Sequence, residues 1–203
     1  GSEMCIRDSY WDAGGGINYK DWSVSSNWSG NVEPSVADTA FIGSASAPQA
    51  TATITNTGEV CNKLYLGYGN DTFANVYMTS GSLSVGSSFY LGRSPLWASS
   101  FYHSGGTTTV NDTVAIGCAF STAAGQYRLS NTANLNVPKL LVGSEGDGDF
   151  RQSGGTNIVS NALYLGYTTD SAGYYELSGG QLSAPVEYVG YNAKETAYTE
   201  GGY

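Results

Sequence analysis

The densest group of reactive side chains in the chain is Glu145-Gly146-Asp147-Gly148-Asp149-Phe150-Arg151. Carboxylates at alternate positions can supply oxygen ligands to Ca²⁺, which takes roughly six to eight of them. The same acids beside a guanidinium are also the groups that a carbohydrate-binding or polysaccharide-degrading β-helix would use at residues 145–151. Against both readings, the segment lacks the glycine and the bidentate glutamate of an EF-hand loop, and adjacent units do not repeat it. The plain alternative is a solvated acidic loop. His103 is the single histidine, so a Ser-His-Asp or Cys-His constellation would have to use it. The repeat places it in a column with Met78, Leu129, Gln152, Leu177 and Glu200, which suggests an ordinary structural position. Cys5, Cys61 and Cys118 are odd in number and widely spaced, and give neither a disulfide framework nor a metal knuckle. No cofactor motif is legible, and the sequence predicts a protein without catalysis of its own.

The elements that must position these residues come from a repeat. An apolar-x-apolar-Gly tetrad ends at Gly67, Gly92, Gly117, Gly143, Gly166 and Gly190, with spacings of 25, 25, 26, 23 and 24. About a dozen residues after each tetrad comes an aromatic-led strand that runs into a turn of small residues, as in Tyr175-Glu176-Leu177-Ser178-Gly179-Gly180. A third short strand closes the unit, as in Ser82-Leu83-Ser84-Val85. Three strands of period-2 alternation in roughly 24 residues, each closed by Gly, Ser or Asn, describe one coil of a right-handed parallel β-helix. In Leu64-Tyr65-Leu66-Gly67 the leucines point inward, the tyrosine outward, and the glycine turns the corner. An antiparallel sandwich or propeller is the competing architecture, but hairpin-favouring Asn-Gly and Asp-Gly pairs are nearly absent between strands.

Alternation then places Tyr65, Tyr90, Tyr164 and Tyr188 in one outward column, interrupted by Ala115 and Leu141. Tyr68, Tyr167 and Tyr191 follow just past the corner. Stacked like residues stabilise neighbouring coils by a few tenths to about 1 kcal/mol per pair, which is reason enough for such a column. The functional reading is a polar aromatic strip for a surface glycan or a protein partner, since tyrosine offers both a ring face and a hydroxyl.

Composition agrees with an extended, weakly charged β-protein. The 203 residues carry 8 Lys+Arg against 17 Asp+Glu, a formal net charge of −9. That balance argues against a nucleic-acid partner, which needs clustered cations. With 28 glycines, 16 tyrosines and 40% hydrophobic residues, the chain is too apolar to be disordered. No apolar run approaches the roughly 20 residues of a membrane-spanning helix.

Three regions are expected. Residues 1–9 share no pattern with the rest, and the stretch from Met4 to Ser9 resembles translated sequencing-adapter read-through, so they are expected to stand outside the fold. Residues 10–60 read as a Trp-rich cap joined to a degenerate first coil, with a strand at residues 51–55. The alternative use of those tryptophans is a sugar-stacking platform. Residues 61–203 are the repeats, and the sixth copy stops in its turn, which predicts continuation into further repeats of the same chain.

The opening Trp11-Asp12, Asn27-Trp28, Pro34 and Asp38-Thr39, followed by the Leu-x-Leu-Gly and Ser-Gly-Gly-x-Leu elements, resemble large secreted bacterial β-solenoid proteins. These include autotransporter passengers with associated β-strand repeats and PEP-CTERM-sorted surface proteins. The resemblance spans nearly all of residues 10–203. It implies an extracellular or cell-surface location and a structural or adhesive role, and carries architecture rather than chemistry.

Overall fold

The structure, a computed structural model, describes residues 7–12, 20–118, 125–192 and 198–201. The chain winds through three faces in turn, and each strand pairs in parallel with its equivalent about 24 residues on. On the first face Thr39–Ile42, Lys63–Tyr68, Phe89–Arg93 and Thr113–Ile116 stack in that order. On the second face the order is Gln49–Ile54, Phe73–Met78, Ser99–His103 and Gly125–Leu129. The third face takes Glu59–Cys61, Ser82–Val85 and Thr107–Val110. Beyond these the strands lengthen: Asn134–Val142 and Gly173–Ser183 each run through one corner from one face to the next, and Gly148–Leu165 runs through two, across all three faces. The result is a parallel β-solenoid of about six turns. Among the described residues, antiparallel contacts are confined to two isolated bridges in the N-terminal segment, Trp11 with Trp28 and Ser44 with Ala47, and the strands do not pair as the hairpins of a sandwich would.

Alternation decides what lies inside. The first face turns Leu64, Phe89, Val114, Leu140 and Leu163 inward in one column and Leu66, Leu91, Ile116, Val142 and Leu165 in the next, all buried. On the second face the inward column passes from Ala52 and Val76 to four aromatic rings, Phe101, Tyr127, Phe150 and Tyr175. Tyr127 and Phe150 stack at 4.9 Å and 6°, and Phe150 and Tyr175 at 4.7 Å and 8°. A single coil could not bury these rings, so each coil relies on its neighbours for a core.

The tetrad glycines form a column at one corner with φ between 67° and 77°. Gly117 shows why: a Cβ there would lie 2.3 Å from the carbonyl oxygen of Asp147 in the next coil. Both the left-handed backbone and the close approach of the neighbouring coil require glycine.

Two features extend the sequence reading. Ala40-Phe41-Ile42-Gly43 is a seventh tetrad, in register with Lys63–Tyr68, so the first coil is fully paired on this face. Pairing also reaches back to Asp8–Tyr10, two residues before the expected start of the cap at 10. Arg7 donates to the Asp38 carboxylate at 3.3 Å from within the stretch expected to stand outside the fold; residues 1–6 of that stretch lie outside the described residues.

The three N-terminal tryptophans pack together. Trp11 and Trp22 each meet Trp28 edge to face, at 4.9 and 4.7 Å, and the Trp28 ring N–H donates to the Trp22 carbonyl at 2.8 Å. All three belong to the same buried cluster as the solenoid core. Their faces are taken up by one another and by the first coil, as the covering of a terminal coil requires, and not laid open as a sugar platform. No helix among the described residues is long and apolar enough to cross a membrane.

Candidate functional site

The outward column of the first face is continuous in register: Tyr10, Phe41, Tyr65, Tyr90, Ala115, Leu141, Tyr164 and Tyr188. Because strands stack at about 4.8 Å, rings at equivalent positions lie face to face. Tyr10 and Phe41 stack at 4.9 Å, Phe41 and Tyr65 at 5.0 Å, and Tyr65 and Tyr90 at 4.7 Å. At the other end Tyr164 and Tyr188 stack at 4.7 Å. Ala115 and Leu141 occupy the gap and are buried there with Cys118, against Tyr90, Tyr164 and Tyr167.

A second column runs beside it, just past the glycine corner. Tyr68 is in register with Arg93. Tyr68 stands across the stack, edge to face with Phe41 at 5.0 Å and Tyr65 at 5.3 Å. Tyr167 and Tyr191 stack on each other at 5.6 Å, and Tyr191 meets Tyr164 and Tyr188 edge to face at 5.1 and 5.2 Å. The seven tyrosines expected at the surface therefore gather into two clusters on one face, Tyr65, Tyr68 and Tyr90 in one and Tyr164, Tyr167, Tyr188 and Tyr191 in the other. Most ring faces in the ladder are occupied by the next ring, so the strip offers mainly edges and hydroxyls outward.

Sequence reasoning missed three members of the strip. Tyr10 and Phe41 lie in the segment read as cap, although Gly43 stands 24 residues before Gly67 and would have located Phe41. Arg93 follows Gly92 as Tyr68 follows Gly67, and this shared spacing is its signal. Its guanidinium carbon sits 5.7, 5.6 and 5.9 Å from the ring centroids of Tyr65, Tyr68 and Tyr90, within cation–π range of all three. Burial, followed by the neighbouring Tyr90 phenol, raises the Tyr65 phenol above its ordinary pKa.

The acidic segment is divided by the fold. Glu145 and Asp147 lie in the bend between the first and second faces, whereas Asp149 is an outward residue of the second-face strand, between buried Gly148 and Phe150. The Asp149 carboxylate accepts one contact from Arg128 and one from Arg151, each at 3.1 Å, and Arg151 also reaches Glu176 at 3.6 Å. Both Asp149 oxygens are thus engaged by guanidinium groups of its own and the preceding coil. Among the described residues no three His, Cys, Asp or Glu side chains gather into a group able to hold a metal ion.

His103 is inward and sealed. Its Nδ1 lies 2.9 Å from the Tyr127 hydroxyl, and its Nε2 is buried without a partner among the described residues. Burial lowers its pKa to about 4, so the ring is neutral. The expected column of Met78, His103, Leu129, Gln152 and Leu177 is present, but its last member differs: Gly201 is the register partner of Leu177, and Glu200 that of Glu176.

Compared with known proteins, the chain matches no family model, no curated protein sequence and no solved structure.

Proposed function

We propose that this solenoid is a structural and adhesive stalk of an extracellular or cell-surface bacterial protein, of the kind represented by autotransporter passengers and PEP-CTERM-sorted surface proteins. It works by spacing and presentation, without catalysis of its own. The observation that carries this reading is the unbroken register of the first face, which repeats one outward position from Tyr10 to Tyr188 along the stack. A rod whose coils are held by parallel pairing and a shared core is stiff along its axis. Its outward columns supply regularly spaced, weakly charged contacts for a glycan or a protein surface. The dispersed acids and the paired state of Asp149 favour presentation over acid–base work at residues 145–151.

The test is location. In the organism that encodes the protein, antibodies raised against it label intact cells, and external protease removes the label. Labelling that requires permeabilised cells overturns the reading.

A further inference from the structure

We propose that Arg93 and the tyrosines around it form a subsite for an acidic saccharide, with the sugar's carboxylate or sulfate on the guanidinium. The inference rests on the adhesive reading of the strip and names the ligand class it takes.

The argument starts from how the arginines are used. Among the described residues Arg7 is paired with Asp38, Arg128 with Asp149, and Arg151 with both Asp149 and Glu176. Arg93 makes no ion pair among the described residues and is exposed. Yet it is not a loose surface cation. Three ring faces or edges lie within 6 Å of its guanidinium carbon. Backbone pairing sets those rings, since Tyr65 and Tyr90 are register partners and Tyr68 is the register partner of Arg93 itself. The guanidinium packs beside these rings and makes no hydrogen bond among the described residues, so its five in-plane N–H donors can meet an anion bidentately. A chain of net charge −9 thus holds one exposed arginine against its aromatic strip with no ion-pair partner among the described residues.

The rings select the rest of the ligand. Their hydroxyls offer donors and acceptors beside the guanidinium, while the faces used in stacking are closed to a flat apolar guest. A uronic or sulfated sugar fits this set: one anion for the fork, and neighbouring hydroxyls for the phenols. The positively charged edge sits outside the solenoid core, so occupancy demands no change of fold.

Titration calorimetry separates the possibilities, using the intact protein with an oligogalacturonate, a sulfated galacto-oligosaccharide, a neutral galacto-oligosaccharide and a polyglutamate peptide. The expected result is binding of at least one acidic saccharide that weakens with salt and falls about tenfold in Arg93→Gln. Arg93→Lys, which keeps the charge but loses the planar fork, gives an intermediate affinity. Unchanged thermal melting of both variants shows that the fold is intact. Equal binding of neutral and acidic saccharides, unaffected by Arg93→Gln, overturns the subsite and leaves the adhesive strip standing. Polyglutamate bound as tightly as the acidic saccharide overturns the ligand class. No saccharide bound by the native protein overturns the subsite together with glycan adhesion by the strip.

Discussion

The Tyr127 hydroxyl and His103 Nδ1 lie 2.9 Å apart inside the solenoid, on neighbouring coils, with the far nitrogen of the imidazole buried and unpartnered. A protonated imidazolium there would bury a charge with no carboxylate beside it. That is why burial lowers the pKa to about 4 from an ordinary value of 6.5.

The sign of the linkage follows. The neutral ring is favoured in the folded state, so its contribution is intact above pH 6.5 and is lost as the pH falls from 6.5 through 4. The loss amounts to about 1.4 kcal/mol per pH unit and roughly 3 kcal/mol in all. Urea denaturation at pH 7, 5.5 and 4.5 should show a steeper decline in the native protein than in a His103→Leu/Tyr127→Phe variant, which removes both the imidazole and the hydroxyl that faces it. Parallel declines would mean that His103 is not sealed as described.

Glycine at the corner column offers a second comparison. Gly58 and Gly117 both have positive φ, 91° and 72°, but a Cβ at Gly58 meets nothing within 4 Å, while one at Gly117 meets backbone atoms of Asp147 and Gly148. Gly58→Ala should cost about 1 kcal/mol, the backbone strain alone. Gly117→Ala should cost about 3 kcal/mol or more, because the obstructing atoms are main chain and cannot turn aside. Chemical denaturation of the two variants measures the difference, and equal costs would show that the coils are not packed so closely at that corner.

Asp149 separates two arginines that the register places side by side, Arg128 and Arg151. Asp149→Asn removes the shared counter-ion and leaves two like charges on adjacent strands, at a cost of about 1 kcal/mol. These side chains are partly exposed, so the cost should shrink as salt is raised from 0.02 to about 0.5 M, where the screening length falls well below 10 Å. A penalty independent of salt would indicate lost packing and not lost pairing.

Much of the solenoid was legible because two constraints recur together: an inward apolar residue at alternate positions, and a glycine where the chain must turn against its neighbour. Leu64, Leu66 and Gly67 carry both, and so the tyrosine between them could be assigned outward. Ala40, Ile42 and Gly43 carry the same pair, but they fall in the stretch read as a Trp-rich cap with a degenerate first coil, and so their tetrad does not stand out as a full repeat. Asp149 was harder to place. A run of acids and glycines reads as a loop, and only the neighbouring Phe150, locked into the inward aromatic column, makes Asp149 a strand residue facing out. Glu200 slipped by one position because the last repeat offers few apolar landmarks to fix its phase. Arg93 showed nothing unusual in its type. Its setting over three rings depends on residues 25 and 28 positions earlier, which only coil stacking brings together.

The gap at Ala115 and Leu141 gives the register an evolutionary meaning. Each coil rebuilds every column, so the natural unit of insertion or deletion is a whole coil, which alters the rod's length by about 4.8 Å without disturbing which way any side chain faces. Loss of the two coils that begin at Thr113 and Lys139 would seat Tyr164 directly on Tyr90. Two aromatic clusters would then merge into one uninterrupted pile from Tyr10 to Tyr188. Coil number thus acts as a dial for the spacing between contact clusters, and lineages could tune reach and grip by recombination between repeats without inventing a new surface.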